Sequence, residues 1–260
     1  MSDNWNTYFT SIDDKPASVL LDMNPWDDGD LDKFVRLYRL SVSLKEPNEN
    51  GLTTNQEADA LYAIEDSIND ALSGHYRFVG RITTAGKRDF YYYTELPDES
   101  ELASLVVKPL ERYSYTIVRV EETNLGDFHR EVLYPNAKER QRIANRLLAD
   151  RLRELGDDLE SPRTVNHWIY FDSTEQRNRF KHIVHKVGFR IEEEPDEEQP
   201  YKLRISRTDD VHFHAISEVT DYLVDAAEQC HGDYDGWESI VLQERKGFLS
   251  GVKKLFKKNG

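Results

Sequence analysis

Residues Arg163–Leu242 read RTVNHWIYFDSTEQRNRFKHIVHKVGFRIEEEPDEEQPYKLRISRTDDVHFHAISEVTDYLVDAAEQCHGDYDGWESIVL, and the hydropathy periods in this stretch decide the fold. Val165, His167, Ile169 and Phe171 fall on one side of an extended chain and Asn166, Trp168 and Tyr170 on the other, the two-residue period of a half-buried strand. Ser173-Thr174-Glu175 then supplies capping groups for a helix predicted from about Thr174 to Val187, which Gly188 closes. Phe189–Glu192 begins a strand that turns through an acidic loop into Tyr201–Arg207, where Tyr201, Leu203 and Ile205 share a face. A second helix is predicted from His214 to Cys230, with Ile216, Val219, Leu223 and Ala227 near helical spacing. His231-Gly232 stops it before a last strand near Tyr234–Leu242. The order is strand, helix, strand, strand, helix, strand, a ferredoxin-like βαββαβ unit.

The first half repeats that order behind an added hairpin. Trp5–Phe9 and Ala17–Met23 form the leading hairpin, and Asn24–Asp30 is loop. Phe34–Leu44 alternates as a strand, Thr54–Leu72 carries a helical period closed by Ser73-Gly74, and Tyr76–Thr83 and Arg88–Thr94 flank Ala85-Gly86-Lys87 as a second hairpin. Asp98-Glu99 opens a short helix that Pro109 ends, and Tyr113–Glu121 is a strand. Between the halves, Pro135–Leu155 reads as a charged helix with Ile143, Leu147, Leu148, Leu152 and Leu155 on one stripe. The predicted class is α+β, two ferredoxin-like units joined by a helical connection. The predicted organisation is a domain over 1–134, a helical connector over 135–160, a second domain over 161–243 and a basic tail over 244–260.

Composition narrows the function classes. A net charge of −15 opposes direct binding to nucleic acid, whose affinity comes from Lys and Arg displacing counterions. The single cysteine, Cys230, cannot form an intrachain disulfide, and the N-terminus lacks the pattern of a secretory signal, so a cytoplasmic protein is expected. No stretch approaches the roughly 20 apolar residues of a membrane span. Nothing in the sequence sets an oligomeric state.

Motifs for chemistry are sparse. Gly86-Lys87 lacks the glycine spacing of a phosphate loop, and Gly247-Phe248-Leu249-Ser250-Gly251 lacks the glycine two residues before its serine that a nucleophile elbow needs. The aspartates of Asn24–Asp30 lack the calcium-loop spacing, and Cys230 beside His231 reads as an apolar filler near a helix end. Phe90-Tyr91-Tyr92-Tyr93 departs from the RNA-recognition consensus and reads as a mix of core and surface rings. Glu65, Asp66, Glu192 and Glu238 are too scattered to pair as acid and base. One enzymatic alternative stays open: His182 and His185 on one helical face, with His212 and His214, could converge as ligands of a metal-dependent hydrolase.

Tyr234-Asp235-Gly236-Trp237-Glu238 at the close of a βαββαβ unit resembles the RraB family, the regulators of ribonuclease E activity. Gly188-Phe189, the acidic loop, Leu203–Arg207 and the helix before Tyr234 follow in the family's order, over about the last third of the chain. The opening hairpin, with Trp5, Tyr8, Pro16, Ala17, Val19 and Asp22, resembles a domain of unknown function that occurs fused before an RraB-like domain. The resemblance implies a protein that binds and inhibits an endoribonuclease, without catalytic residues or a cofactor of its own. On the residues themselves, Gly236 reads as a point of backbone freedom and Trp237 as a packed indole.

Two surfaces suit partners. Glu192, Glu193, Glu194, Asp196, Glu197 and Glu198 put six acids in seven residues, which could occupy a basic groove that otherwise receives RNA. In the tail, Phe248, Leu249, Val252, Leu255 and Phe256 form an apolar stripe opposite Lys246, Lys253, Lys254 and Lys257 when drawn as a helix. Such a helix would cover its apolar face on the protein's own body, in a partner's groove or on an anionic membrane.

Overall fold

A computed structural model describes residues 4–27, 29–72, 74–192 and 201–242 and divides the chain into two compact units, 1–139 and 140–260. Both are α+β with antiparallel sheets. The first contains β1 (Trp5–Ile12), β2 (Lys15–Asp22), α1 (Asp30–Lys33), β3 (Arg36–Ser43), α2 (Asn55–Ala71), β4 (Tyr76–Thr84), β5 (Lys87–Thr94), α3 (Ser100–Val106) and β6 (Tyr115–Val120). Its six strands lie in the order β1-β2-β4-β5-β3-β6. The leading hairpin turns tightly because Asp13 and Asp14, at φ 49° and 60°, accept the left-handed conformation of a two-residue connection. Thr54 caps α2 by accepting from the Glu57 amide at 3.4 Å, and Leu61 and Ile68 carry the helix's apolar face onto the sheet.

The run Phe90–Tyr93 corrects an expectation. All four rings are buried, with none at the surface. Phe90 and Tyr92 join Tyr38, Leu40, Leu61, Ile68 and Leu102 under the helices. Tyr91 and Tyr93 point to the opposite face, where Phe128 lies 4.4 Å from Tyr91, Trp26 packs edge-on to Tyr93, and the Tyr93 hydroxyl donates to Glu122 at 2.6 Å. The segment around Phe128 supplies this second cover: it runs into a π-helical turn at His129–Leu133, whose Leu133 carbonyl accepts from Tyr8 at 2.8 Å. A strand covered on both faces shows no polar alternation.

The second unit contains most of α4 (Ala137–Glu154), then β7 (Arg163–Tyr170), α5 (Thr174–His185), β8 (Arg190–Glu192), β9 (Leu203–Asp209), α6 (Phe213–Gln229) and β10 (Asp233–Ser239). The sheet order is β10-β7-β9-β8, all antiparallel. The inward residues are those of the alternation: Ile169, Leu203 and Ile205 pack with Phe180 and Val184 of α5 and Leu223 and Ala227 of α6. Ser173 caps α5 by accepting from the Gln176 amide. Cys230 is fully buried in this core beside Phe171 and Phe180, and burial raises its thiol pKa.

Helix α4 buries part of the predicted apolar stripe, together with two amide side chains. Ile143 and Leu152 of that stripe are buried along with Gln141, Asn145 and Ala149, whereas Leu147 and, just past the helix, Leu155 are exposed, at 56% and 41%. Ala149 and Leu152 pack with Val165, Val211, Ile216 and Trp237. Beyond the helix, Asp157 forms a buried ion pair with Arg163 and accepts from the Leu242 amide at 2.7 Å, tying the end of the described chain to the start of β7. Burial would raise the Asp157 pKa, but the hydrogen bonds from Arg163, Leu159 and Leu242 outweigh it and hold the carboxyl below its usual range.

Candidate functional site: the cleft at Tyr234–Trp237

The residues of the Tyr234–Trp237 signature sit within strand β10. Tyr234 pairs with Ile169 and Gly236 with Trp168, so Asp235 is the extra residue of a β-bulge. Gly236 takes φ +141°, a conformation that L side chains rarely adopt, and an added Cβ would meet nothing within 4 Å. The bulge sets the side chains on either side of it. Tyr234 turns inward, where its hydroxyl and His167 Nδ1 share a 2.8 Å hydrogen bond. Burial raises the phenol pKa of Tyr234 and lowers that of His167 to about 3, so the imidazole is neutral near pH 7.

Trp237 also turns inward and donates through Nε1 to Asn145 Oδ1 at 2.8 Å. Gln141 Nε2 donates to the same oxygen at 2.9 Å, and Asn145 Nδ2 donates to Ser217 Oγ at 3.2 Å and Thr220 Oγ1 at 2.8 Å. Asn145 has no exposed surface, and this network joins α4, α6 and β10. The signature tryptophan thus acts in part as a hydrogen-bond donor locking a helix against the strand.

Outside this lock lies a cleft of about 450 Å³ whose lining includes Leu148 and Ala144 of α4, Trp168 and Tyr170 of β7, and Asp235 and Glu238 of β10. Trp168 and Tyr170 are the outward residues of the β7 alternation, and both are half-buried. Lys202 lines the same cleft with its ammonium 5.6 Å from the centroid of the Tyr170 ring. Arg204 stands opposite Trp168 in the β7/β9 register. The arrangement combines aromatic faces, a small apolar wall and two exposed carboxylates, which is chemistry for binding a side chain.

The other sequence-selected residues fall elsewhere. Glu192 ends β8 and accepts from Ser206 Oγ at 2.7 Å, a local structural bond. Glu193, Glu194, Asp196, Glu197 and Glu198 lie outside the described residues, as do Phe248, Val252, Lys253, Lys254, Leu255, Phe256 and Lys257 of the tail. The histidines do not gather: His182 and His185 are on α5, while His212 caps α6 by accepting from the Ala215 amide and His214 lies in that helix's first turn. Among the described residues no group of three or more His, Cys, Asp or Glu side chains could hold a metal ion. The metal-dependent hydrolase reading therefore loses its site. Sequence reasoning missed Asn145 and the Trp168–Tyr170 pair, although two large aromatics on the polar side of an alternating strand were a visible signal.

Fold and cleft together define an α+β protein of two compact units with an aromatic-lined cleft on the second. The chain belongs to the DUF695 family, a family of unknown function whose model matches residues 3–134, and residues 142–239 match the RraB family, regulator of ribonuclease activity B. This is the two-part arrangement the sequence resemblance implied. A crystal structure of an unknown protein from Galdieria sulphuraria is similar at 13% identity, with 79% of this chain and 99% of that chain covered and a TM-score of 0.21. No curated protein matches the chain.

Proposed function

We propose that this chain is a non-catalytic, acidic, protein-binding regulator that acts in the cytoplasm on an endoribonuclease through its second domain. The observation that carries the reading is the match of residues 142–239 to the regulators of ribonuclease activity. The element order β7-α5-β8-β9-α6-β10, with strands side by side as β10-β7-β9-β8, supports a ferredoxin-like unit built as a binding platform. The first unit has the same order behind its hairpin, since β3 to β6 lie as β6-β3-β5-β4. In this reading residues 1–134 and 161–243 are the two domains, and α4 within the 135–160 connection docks on the second.

The mechanism is occlusion by charge and shape. The acids Glu192–Glu198 supply the field that guides the protein to a basic RNA-binding groove, and the cleft at Tyr234–Trp237 supplies the fixed contact. Initial rates of cleavage of a short fluorogenic RNA by a purified ribonuclease E-type endoribonuclease test the proposal. Added full-length chain should lower the rate saturably, while the chain alone leaves the RNA intact. Replacing Glu193, Glu194, Asp196, Glu197 and Glu198 by Ser should raise the concentration needed for half-inhibition by about tenfold at low salt, as loss of steering requires. An unchanged cleavage rate at micromolar excess would sink the reading.

A further inference from the structure

We infer that the cleft beside the signature takes an arginine side chain from a protein partner, stacked on Trp168 and paired with Asp235 and Glu238. The inference rests on the protein-binding reading and adds the chemistry of the contact. Trp168 and Gly236 face each other in register, and because Gly236 has no side chain, and a Cβ there would meet nothing, the space beside the indole is open. Asp235 is pushed outward as the bulged residue, and Glu238 follows three positions on, both exposed. Among the described residues Glu238 takes only a long 3.5 Å hydrogen bond from Asn166, and neither carboxylate has an ion-pair partner. The neighbouring ring shows what the cleft accepts, since Lys202 holds a cation over Tyr170.

A guanidinium fits this setting better than an ammonium. Its plane stacks on an indole face while its edge donates to carboxylates, and it is more weakly hydrated, so it costs less to bring into a half-buried cleft. The lysine already in place occupies the Tyr170 end, Arg204 stands opposite Trp168 on the β9 side, and the indole borders the cleft on the Gly236 side. Net charge works in the same direction: removing the six cations of the tail from a total of −15 leaves −21 on residues 1–244, a field that draws in basic segments.

The test uses the full chain and three acetylated peptides: one with two arginines spaced by glycine, its lysine counterpart, and its citrulline counterpart, which keeps the shape without the charge. The readout is the indole N–H signal in two-dimensional NMR, with the Trp168 peak assigned by its loss in Trp168→Leu. The arginine peptide should shift that peak saturably, the lysine peptide should bind about tenfold more weakly, and the citrulline peptide should not bind. The double variant Asp235→Asn with Glu238→Gln should lose about tenfold in affinity with its other signals unmoved, which separates lost contact from lost fold. Equal shifts from the citrulline peptide, or unchanged affinity in the double variant, overturn the arginine site. If the arginine peptide fails to bind while the chain still inhibits the ribonuclease, this inference falls and the regulatory reading stands. If the peptide binds and the ribonuclease is unaffected, the reverse holds.

Discussion

A carboxamide offers two acceptor positions on its oxygen and two donors on its nitrogen, and Asn145 uses all four against Trp237, Gln141, Ser217 and Thr220. Complete satisfaction makes a polar residue with no exposed surface tolerable, and removal leaves several buried groups unpaired at once. Asn145→Leu should therefore destabilise the second unit by about 2–4 kcal/mol, read as a lower urea midpoint. An unchanged midpoint would show the network to be dispensable. His167 makes the opposite case, because its Nε2 is buried with no hydrogen-bond partner among the described residues and its pKa falls to about 3. Below pH 6.5 the unfolded chain binds a proton that the native imidazole refuses, so stability should fall as pH drops from 6.5 towards 3. The slope contributed by one such proton is about 1.4 kcal/mol per pH unit. His129, also held low by burial, adds in the same direction. Urea melts from pH 7 to pH 4 on wild type and His167→Leu should show the shallower slope in the variant, and identical slopes would rule His167 out as the source.

At the scale of elements, the least foreseen relation is the docking of α4. Its exposed Leu147 and buried amides depart from a purely apolar stripe, because the face is chosen by fit and hydrogen-bond partners on α6 and β10 as well as by hydropathy. Without α4, Trp237, Val165, Val211 and Ile216 lose the cover of Ala149 and Leu152, and the Trp237 donor loses its acceptor. A chain starting at residue 137 should fold as a unit with dispersed amide signals, and one starting at residue 156 should not. Equal dispersion in both would mean that α4 is an ornament on a self-sufficient sheet. The run Phe90–Tyr93 is the matching case in the first unit. Its four consecutive buried rings have the same cause as any strand covered on both faces, and here the second cover includes the π-helical turn.

For the whole molecule, charge is the organising quantity. Six lysines and arginines follow Glu244 with no acid among them, while residues 1–244 carry −21, the remainder of the total −15. No helix among the described residues is long and apolar enough to cross a membrane. The stripe of Phe248, Val252, Leu255 and Phe256 with its flanking lysines is nevertheless suited to an anionic surface, at roughly 1 kcal/mol per lysine near the headgroups. The full chain should co-sediment with anionic vesicles at low salt, whereas a chain ending at Glu244 should stay in the supernatant, and neither should follow neutral vesicles. If both chains stay with the supernatant, the tail serves no membrane.

The strand and helix order of both units was legible residue by residue, because a period of two against a period of 3.6 is a local property of the chain. His167 could be placed inside its strand by parity alone, and Gly236 could be marked as a point of backbone freedom, since both follow from bonded geometry. Whether a face is covered once or twice, whether a buried helix stripe is apolar or amide, and which aromatics border open space depend on elements distant in sequence. Asn145 and Trp237 are separated by 92 positions and are paired only by the fold, and no local pattern at either residue carries that partnership.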